Sequence, residues 1–301
     1  MNKQAHKITA LSIWSMLIIL LLLVVTLNGV LSFPTYQDYQ ISNQYGEKIR
    51  IYGTGVYAHD SFFKAPIFIG TDFTMLFLVI PLLIITLVKN KRKSEIEAKI
   101  NLLAILGVIL YYAMSISFGV TYNYFHLIYI MLMGVSFYMF FGLLLNLHTL
   151  STAISPLYTY TITRGMQTFL ICSGLSLFIA WLPDIISSLM ANRSLELIEV
   201  YTTEITYVLD MGIISPLMFI TLYLLRRKLF IGLVLFRMLL RTCEIIGIML
   251  PIQSVFQIMS GIEIPLPALL TKVSIFVALA GFALYIDISV QRKTSIENNI
   301  L

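Results

Sequence analysis

Apolar residues in this chain fall in long unbroken runs. They do not alternate as in a half-buried strand, and they do not form the narrow stripe of a soluble amphipathic helix. A helix that crosses a bilayer needs about 20 apolar residues at ~1.5 Å of rise each. Eight segments predict such helices, at 8–31, 73–88, 100–120, 124–147, 166–190, 205–225, 229–251 and 265–288. The second is short unless it borrows the turn containing Ile67 and Ile69. The pattern therefore predicts an all-α, polytopic helix bundle forming one transmembrane domain over residues 1–301. Lys3 and Lys7 precede a first run too long for a signal-peptide core, and no small-residue cleavage site follows it, so it reads as a retained helix.

The polar breaks between runs set the orientation, because Lys and Arg collect on the cytoplasmic side. With the N-terminus inside, the inner segments hold Lys3, Lys7, Lys89, Lys91, Arg92, Lys93, Lys99, Arg164, Arg226, Arg227, Lys228, Arg292 and Lys293. The outer segments hold only Lys48, Arg50, Lys64 and Arg193. Both termini are expected in the cytoplasm, and the localisation is expected to be a plasma membrane. The one long outer segment, 32–72, is rich in aromatic residues. Within it Lys48-Ile49-Arg50-Ile51-Tyr52 alternates and meets Gly53 and Gly55, which predicts a short strand and a turn. Asp60 or Ser61 is placed to cap a short interfacial helix after it. This segment is either a tether over the outer face or a lid on a cavity. The inner connector at 148–165 is Ser/Thr-rich around Pro156, and Asn192-Arg193-Ser194 reads as a chance sequon.

Composition narrows the function class. The chain is 58% hydrophobic and 12% charged, against about 45–50% and about 25% in an ordinary soluble domain. That excludes a soluble enzyme, a disordered chain and a nucleic-acid binder. The net charge of +5 is accounted for by the topology. Cys172 and Cys243 both lie within apolar runs and read as packing residues. The four histidines are scattered over both faces, so no metal or haem constellation is expected. There is no P-loop, GxGxxG or GxSxG, and no cofactor is implied.

The second and sixth runs share an ending. Pro81-Leu82, Ile85-Thr86-Leu87 and Arg92-Lys93 align without gaps on Pro216-Leu217, Ile220-Thr221-Leu222 and Arg227-Lys228. A four-plus-four helix repeat, 1–150 and 151–301, is allowed by the shared direction of the two helices. The alternative is that apolar helices share letters cheaply.

Charge inside apolar runs is the main functional signal, since each such group costs ~2.5–3.5 kcal/mol on insertion scales. The second half carries Asp210, Arg237, Arg241, Glu244 and Lys272 within its runs. Helical rise sets Asp210, Arg241, Glu244 and Lys272 in one outer layer, with Arg237 deeper and able to snorkel inward. Arg237, Arg241 and Glu244 stand at i, i+4 and i+7, on one helix face. Asp72 and Asp184 lie nearer the outer interface. Two readings stay open. The charges are structural ion pairs, such as Asp210 with Lys272 or Arg241 and Glu244 with Arg241. Or they line a solvated cavity. The three cations outnumber the two carboxylates by one, which leaves room for an anionic group.

The run Tyr52-Gly53-Thr54-Gly55-Val56-Tyr57, then Asp60-Ser61, then Gly70-Thr71-Asp72 with Leu76 and Pro81, resembles an uncharacterised family of bacterial multi-pass membrane proteins. Tyr122-Asn123 and Leu209-Asp210 with Pro216 are similar to later parts of the same sequences. The resemblance spans most of the chain and implies a bacterial inner-membrane protein. It brings no activity and no site residues.

The leading expectation is binding or transport of a small polar or anionic solute, or of a lipid headgroup. The site would be an outward-facing cavity built on Asp210, Arg241, Glu244 and Lys272, with Asp72 and Asp184 near its mouth. One alternative is an accessory subunit that packs on a membrane protein partner and uses the charges structurally. Another is a membrane enzyme on a lipid-linked substrate, using Asp60, Asp72, Asp184 or Glu244. The lipid bilayer is a partner in every case, and nucleic acid in none.

Overall fold

The computed structural model describes residues 2–34, 37–89, 95–154, 161–264 and 273–298. Lys91, Arg92, Lys93, Pro156 and Lys272 lie outside the described residues. Eight long helices follow one another among those described. They are α1 (Asn2–Leu31), α2, α3 (Glu95–Gly119), α4 (His126–Ile154), α5 (Arg164–Met190), α6, α7 (Phe230–Met259) and α8 (Ser274–Asn298). Helix α2 runs from Ala65–Thr74 through a π-helical turn, Met75–Val79, into Ile80–Lys89. Helix α6 does the same, from Ile205–Leu209 through Asp210–Ile214 into Ser215–Arg226. Six helices are long and apolar enough to cross a membrane: Leu11–Leu31, Ala65–Val88, Ile96–Gly119, His126–Leu150, Arg164–Met190 and Ile205–Arg226.

The two π turns have one cause. Pro81 and Pro216 have no N–H and cannot donate to the carbonyl one turn back. The residue before each proline reaches back five positions instead, Ile80 N–H to Met75 O and Ser215 N–H to Asp210 O. A widened turn absorbs the break without ending the helix.

Packing is organised around α3 and α7. Leu103, Leu106, Ile109 and Ala113 of α3, with Phe236, Leu239 and Leu240 of α7, are completely shielded. Helix α1 packs on α2 and α4, α2 on α3, and α3 on α4. The same four pairings hold in the second half, α5 on α6 and α8, α6 on α7, and α7 on α8. Between the halves α2 packs on α7, α6 on α3 and α3 on α7, and α4 also touches α7. Where apolar driving force is weak, small residues permit close approach. A Cβ on Gly70 would stand 2.6 Å from Gln253 Cα, which measures how near α2 lies to α7. Large apolar side chains point outward on the remaining faces, among them Leu20, Phe77, Tyr138, Ile179 and Tyr285. That is the surface a bilayer covers. Many polar side chains within the helices bond to the carbonyl four residues back, as Thr26, Asn28, Thr71, Ser115 and Thr242 do. They satisfy themselves locally and imply no ligand.

The loop after α1 is a β-hairpin, β1 (Tyr39–Ser42) antiparallel to β2 (Lys48–Ile51), with Tyr39 opposite Ile51 and Ser42 opposite Lys48. Gly46 closes its turn at φ 81°, a conformation an L side chain resists. The alternating segment forms β2 as expected. The sequence reading missed β1, whose side chains are all exposed. The interfacial helix expected after Ser61 is instead the start of α2 at Ala65. Gly53 and Gly55, both at positive φ, make the expected turn.

Candidate functional site

The two halves enclose a cavity of about 260 Å³. Helices α2 and α3 supply one side, and α5, α6, α7 and α8 the other. Its surface is mostly apolar, with few charged groups. Asp210 opens the π turn of α6 and is 5% exposed. Tyr111 Oη donates to Asp210 Oδ1 at 2.8 Å and Trp181 Nε1 donates to Oδ2 at 2.8 Å. Trp181 stacks on Tyr207 with centroids 4.8 Å apart and on Phe276 at 6.4 Å. Tyr207 Oη in turn donates to Asp184 Oδ2 at 2.7 Å. Ser173 Oγ is buried on the cavity wall with no hydrogen-bond partner. Gln253 donates to Thr71 Oγ1 at 2.7 Å and joins α7 to α2 across the lining.

A polar clasp joins the hairpin segment to the α5–α6 loop at one end of this cavity. Lys64 pairs with Glu204, both lining the cavity and both largely buried. The Lys64 ammonium also sits 4.2 Å from the Tyr201 ring. Ser61 Oγ bonds the Glu199 carboxylate, and Ser61 N–H donates to Tyr201 Oη at 3.2 Å. Asp60 is fully buried, and its Oδ1 accepts from Thr121 N–H at 2.9 Å and from Tyr201 Oη at 3.0 Å. Burial pushes the Asp60 carboxyl up to about 7 against the pull of those bonds, and burial also raises Glu199. Ser194 Oγ to Glu47 Oε1, at 3.1 Å, and Asn43 Nδ2 to Glu199 O, at 2.9 Å, extend the seam outward.

Among the described residues the charges that the sequence suggested would converge take different partners. Of the five candidate residues that are described, Asp210 lines the cavity and Asp72, Asp184, Arg241 and Glu244 do not. Arg241 pairs with Glu244 at 2.7 Å and with Asp287 at 3.2 Å. Arg237 does not snorkel away. Its Nε lies 3.0 Å from Asp287 Oδ1 and its NH2 3.1 Å from Asn101 Oδ1. Two arginines thus face two carboxylates in a network that ties α7 to α8 and α3, and no excess cation is left there among the described residues. Asp287 is the partner that the sequence reading missed. Asp72 is fully buried outside the cavity lining, held by Tyr57 and by Tyr112 Oη at 2.5 Å. It lies against Gly29, where a methyl would occupy its carboxylate's place. Asp184 bonds Tyr207 behind the aromatic wall. Asp210 pairs with neither lysine nor arginine among the described residues, and Lys272 lies outside them. The carboxylates weighed for enzymatic work therefore sit in separate clusters, each bonded within its own. Among the described residues no three His, Cys, Asp or Glu side chains come together as metal ligands.

Tyr111, Trp181 and Glu204 complete the site, and no spacing in the sequence links them to Asp210. The available signal was weaker. Trp181 is a tryptophan within a spanning run, and Tyr111 belongs to a cluster of tyrosines and serines at one end of its helix. No family model, no curated protein and no solved structure matches this chain.

Proposed function

We propose that this chain is a multi-pass plasma-membrane protein that binds a small solute between its two halves and moves it across the bilayer. The observation that carries the reading is the cavity of about 260 Å³ with Asp210 on its wall. A buried ionisable group beside a cavity in a spanning bundle is a mark of a solute or proton path. The excess of Lys and Arg at the end opposite the hairpin supports both termini in the cytoplasm, eight crossings, and the Lys64–Glu204 clasp on the outside. The matching pairings of α1–α4 and α5–α8 support reading the halves as two copies of one four-helix unit. The π turns, each followed by a proline, support bending of α2 and α6 close to the cavity. Those breaks favour transport over passive binding, with the hairpin segment as a lid.

The neutral Arg237–Asp287–Arg241–Glu244 network favours a second reading, an accessory subunit braced by internal ion pairs. The two differ in whether the cavity admits anything.

Cys243 lines the cavity and Cys172 is exposed on the bundle's surface. In a Cys172→Ser background, aminoethyl methanethiosulfonate should modify Cys243. A Lys64→Ala substitution should speed that reaction several-fold by opening the clasp. A Cys243 that stays unmodified in both forms, while the unfolded chain reacts, would favour the accessory reading.

A further inference from the structure

We infer that the ligand of this cavity is a monovalent organic cation with an apolar or aromatic body, its charged group seated against Asp210. The inference rests on the reading of the cavity as a solute site and names the class of solute.

Charge in the lining points this way. The charged side chains described there are Lys64, Glu204 and Asp210. Lys64 is taken by Glu204. Among the described residues Asp210 is left with one neutral donor on each oxygen, the Tyr111 hydroxyl and the Trp181 indole. Neutral donors orient a carboxylate but do not balance its charge, and an unbalanced charge in a low-dielectric site is costly. A cation offsets that cost directly. An anion meets uncompensated repulsion, because Arg237 and Arg241, the cations that would have received it, are held in the network with Asp287 and Glu244.

The walls point the same way. Trp181 stacks on Tyr207 and on Phe276, all three line the cavity, and Trp181 reaches Asp210 with its indole N–H. Aromatic faces attract cations, most strongly where water is excluded. Most of the remaining surface is apolar, with room for an apolar body, and of its hydroxyl and amide groups Thr71, Ser115, Ser176, Thr242 and Gln253 already donate within the bundle. Carboxylate, aromatic wall and apolar floor together select an amphiphilic amine or a quaternary ammonium over a metal ion. A metal ion would need several oxygen ligands.

The chain holds its own reporter. Its 2 tryptophans are Trp14, on the exposed face of α1, and Trp181 in the cavity. A Trp14→Phe variant in phosphatidylcholine nanodiscs would be titrated with three probes of one shape: 3-phenylpropylammonium, 3-phenylpropan-1-ol and 3-phenylpropionate. The change in Trp181 fluorescence reads binding, and a Trp181→Phe protein that keeps Trp14 reads partition into lipid. The ammonium should bind at least ~10-fold more tightly than the alcohol, and the carboxylate most weakly. Asp210→Asn should bring ammonium and alcohol to within about twofold. The comparison of the three probes on intact Asp210 decides the matter even where Asp210→Asn fails to fold. Equal or tighter binding of the alcohol or the carboxylate overturns the cation while keeping the cavity as a site. A preference for the ammonium that emerges only in Lys272→Met also overturns it, because the chain then supplies its own cation. No response to any probe removes both the cation and the solute site.

Discussion

Replacing Asp60 by Asn should flatten the pH dependence of stability on the side of the molecule that carries the hairpin. Asp60 is completely shielded, its Oδ1 accepts from Thr121 and Tyr201, and its Oδ2 has no partner. Burial raises its carboxyl from 3.8 to about 7. Between those two values the folded chain holds a proton that the unfolded chain has released. A raised folded value means that the stabilising contribution is complete below pH 4 and is lost as pH climbs through about 7. At ~1.4 kcal/mol per tenfold, the whole interval is worth roughly 4 kcal/mol as an upper bound, of which about 3 lies between pH 5 and pH 8. On the order of 2 °C per kcal/mol for a chain of this length, the wild-type midpoint should rise by roughly 6 °C on acidification from pH 8 to pH 5. Asn keeps the Oδ1 acceptor and cannot ionise, so its midpoint should rise much less. Glu199, raised in the same direction, leaves a residual slope in both proteins, and the difference between the two slopes belongs to Asp60. Thermal unfolding in a neutral detergent, followed across this pH range, makes the comparison. Parallel slopes in wild type and Asp60→Asn would refute the assignment of the buried proton to Asp60.

Asp287→Leu should cost about 3 kcal/mol, because it strands Arg237 and takes one of two carboxylates from Arg241. Adding Arg237→Met should recover part of that loss in chemical unfolding, and a double variant weaker than the single one would contradict the ion-pair account. Gly70→Val should destabilise by roughly 1–3 kcal/mol, since even a Cβ would stand 2.6 Å from Gln253 Cα and must push α2 from α7. An unchanged unfolding midpoint would show that the two helices are not in such close contact.

The spanning helices were legible because a bilayer demands long apolar runs, and that signal is independent of tertiary contacts. Their ends were less so. Helix α2 starts at Ala65, ahead of the expected position, with Pro66 in its first turn, where a missing N–H costs no helical bond. Helix α7 continues past Pro251 to Met259, since one missing N–H does not end a helix packed on both sides. Strand β1, Tyr39-Gln40-Ile41-Ser42, alternates over only four residues, buries no side chain, and is held by pairing with β2. The pairing of Arg241 with Glu244 was readable from its i, i+3 spacing. Asp287 was not, because a charge at the end of an apolar run reads as a stop at the interface. The donors to Asp210 come from α3 and α5, and no sequence spacing announces a hydroxyl brought from another helix.

Asp72 and Asp210 show why location, more than charge, separates a brace from a site. Each is held by two neutral donors carried on aromatic rings. Tyr111 and Tyr112 are adjacent on α3, about 100° apart around the helix, and each sends its hydroxyl to one of the two aspartates. Asp72 is closed in on every side, by Tyr57, by Tyr112 and by the bare backbone of Gly29, so nothing further can reach it. Its cluster fixes the hairpin segment to α1, α2 and α3. Asp210 has the same kind of cradle but borders open volume that Trp181 and Tyr207 also line. A carboxyl needed only for packing would be better sealed in the manner of Asp72, since leaving space beside it forfeits dispersion contacts. The volume beside Asp210 is therefore the feature that asks for an occupant. The two tyrosines make α3 the helix that reaches both carboxyls.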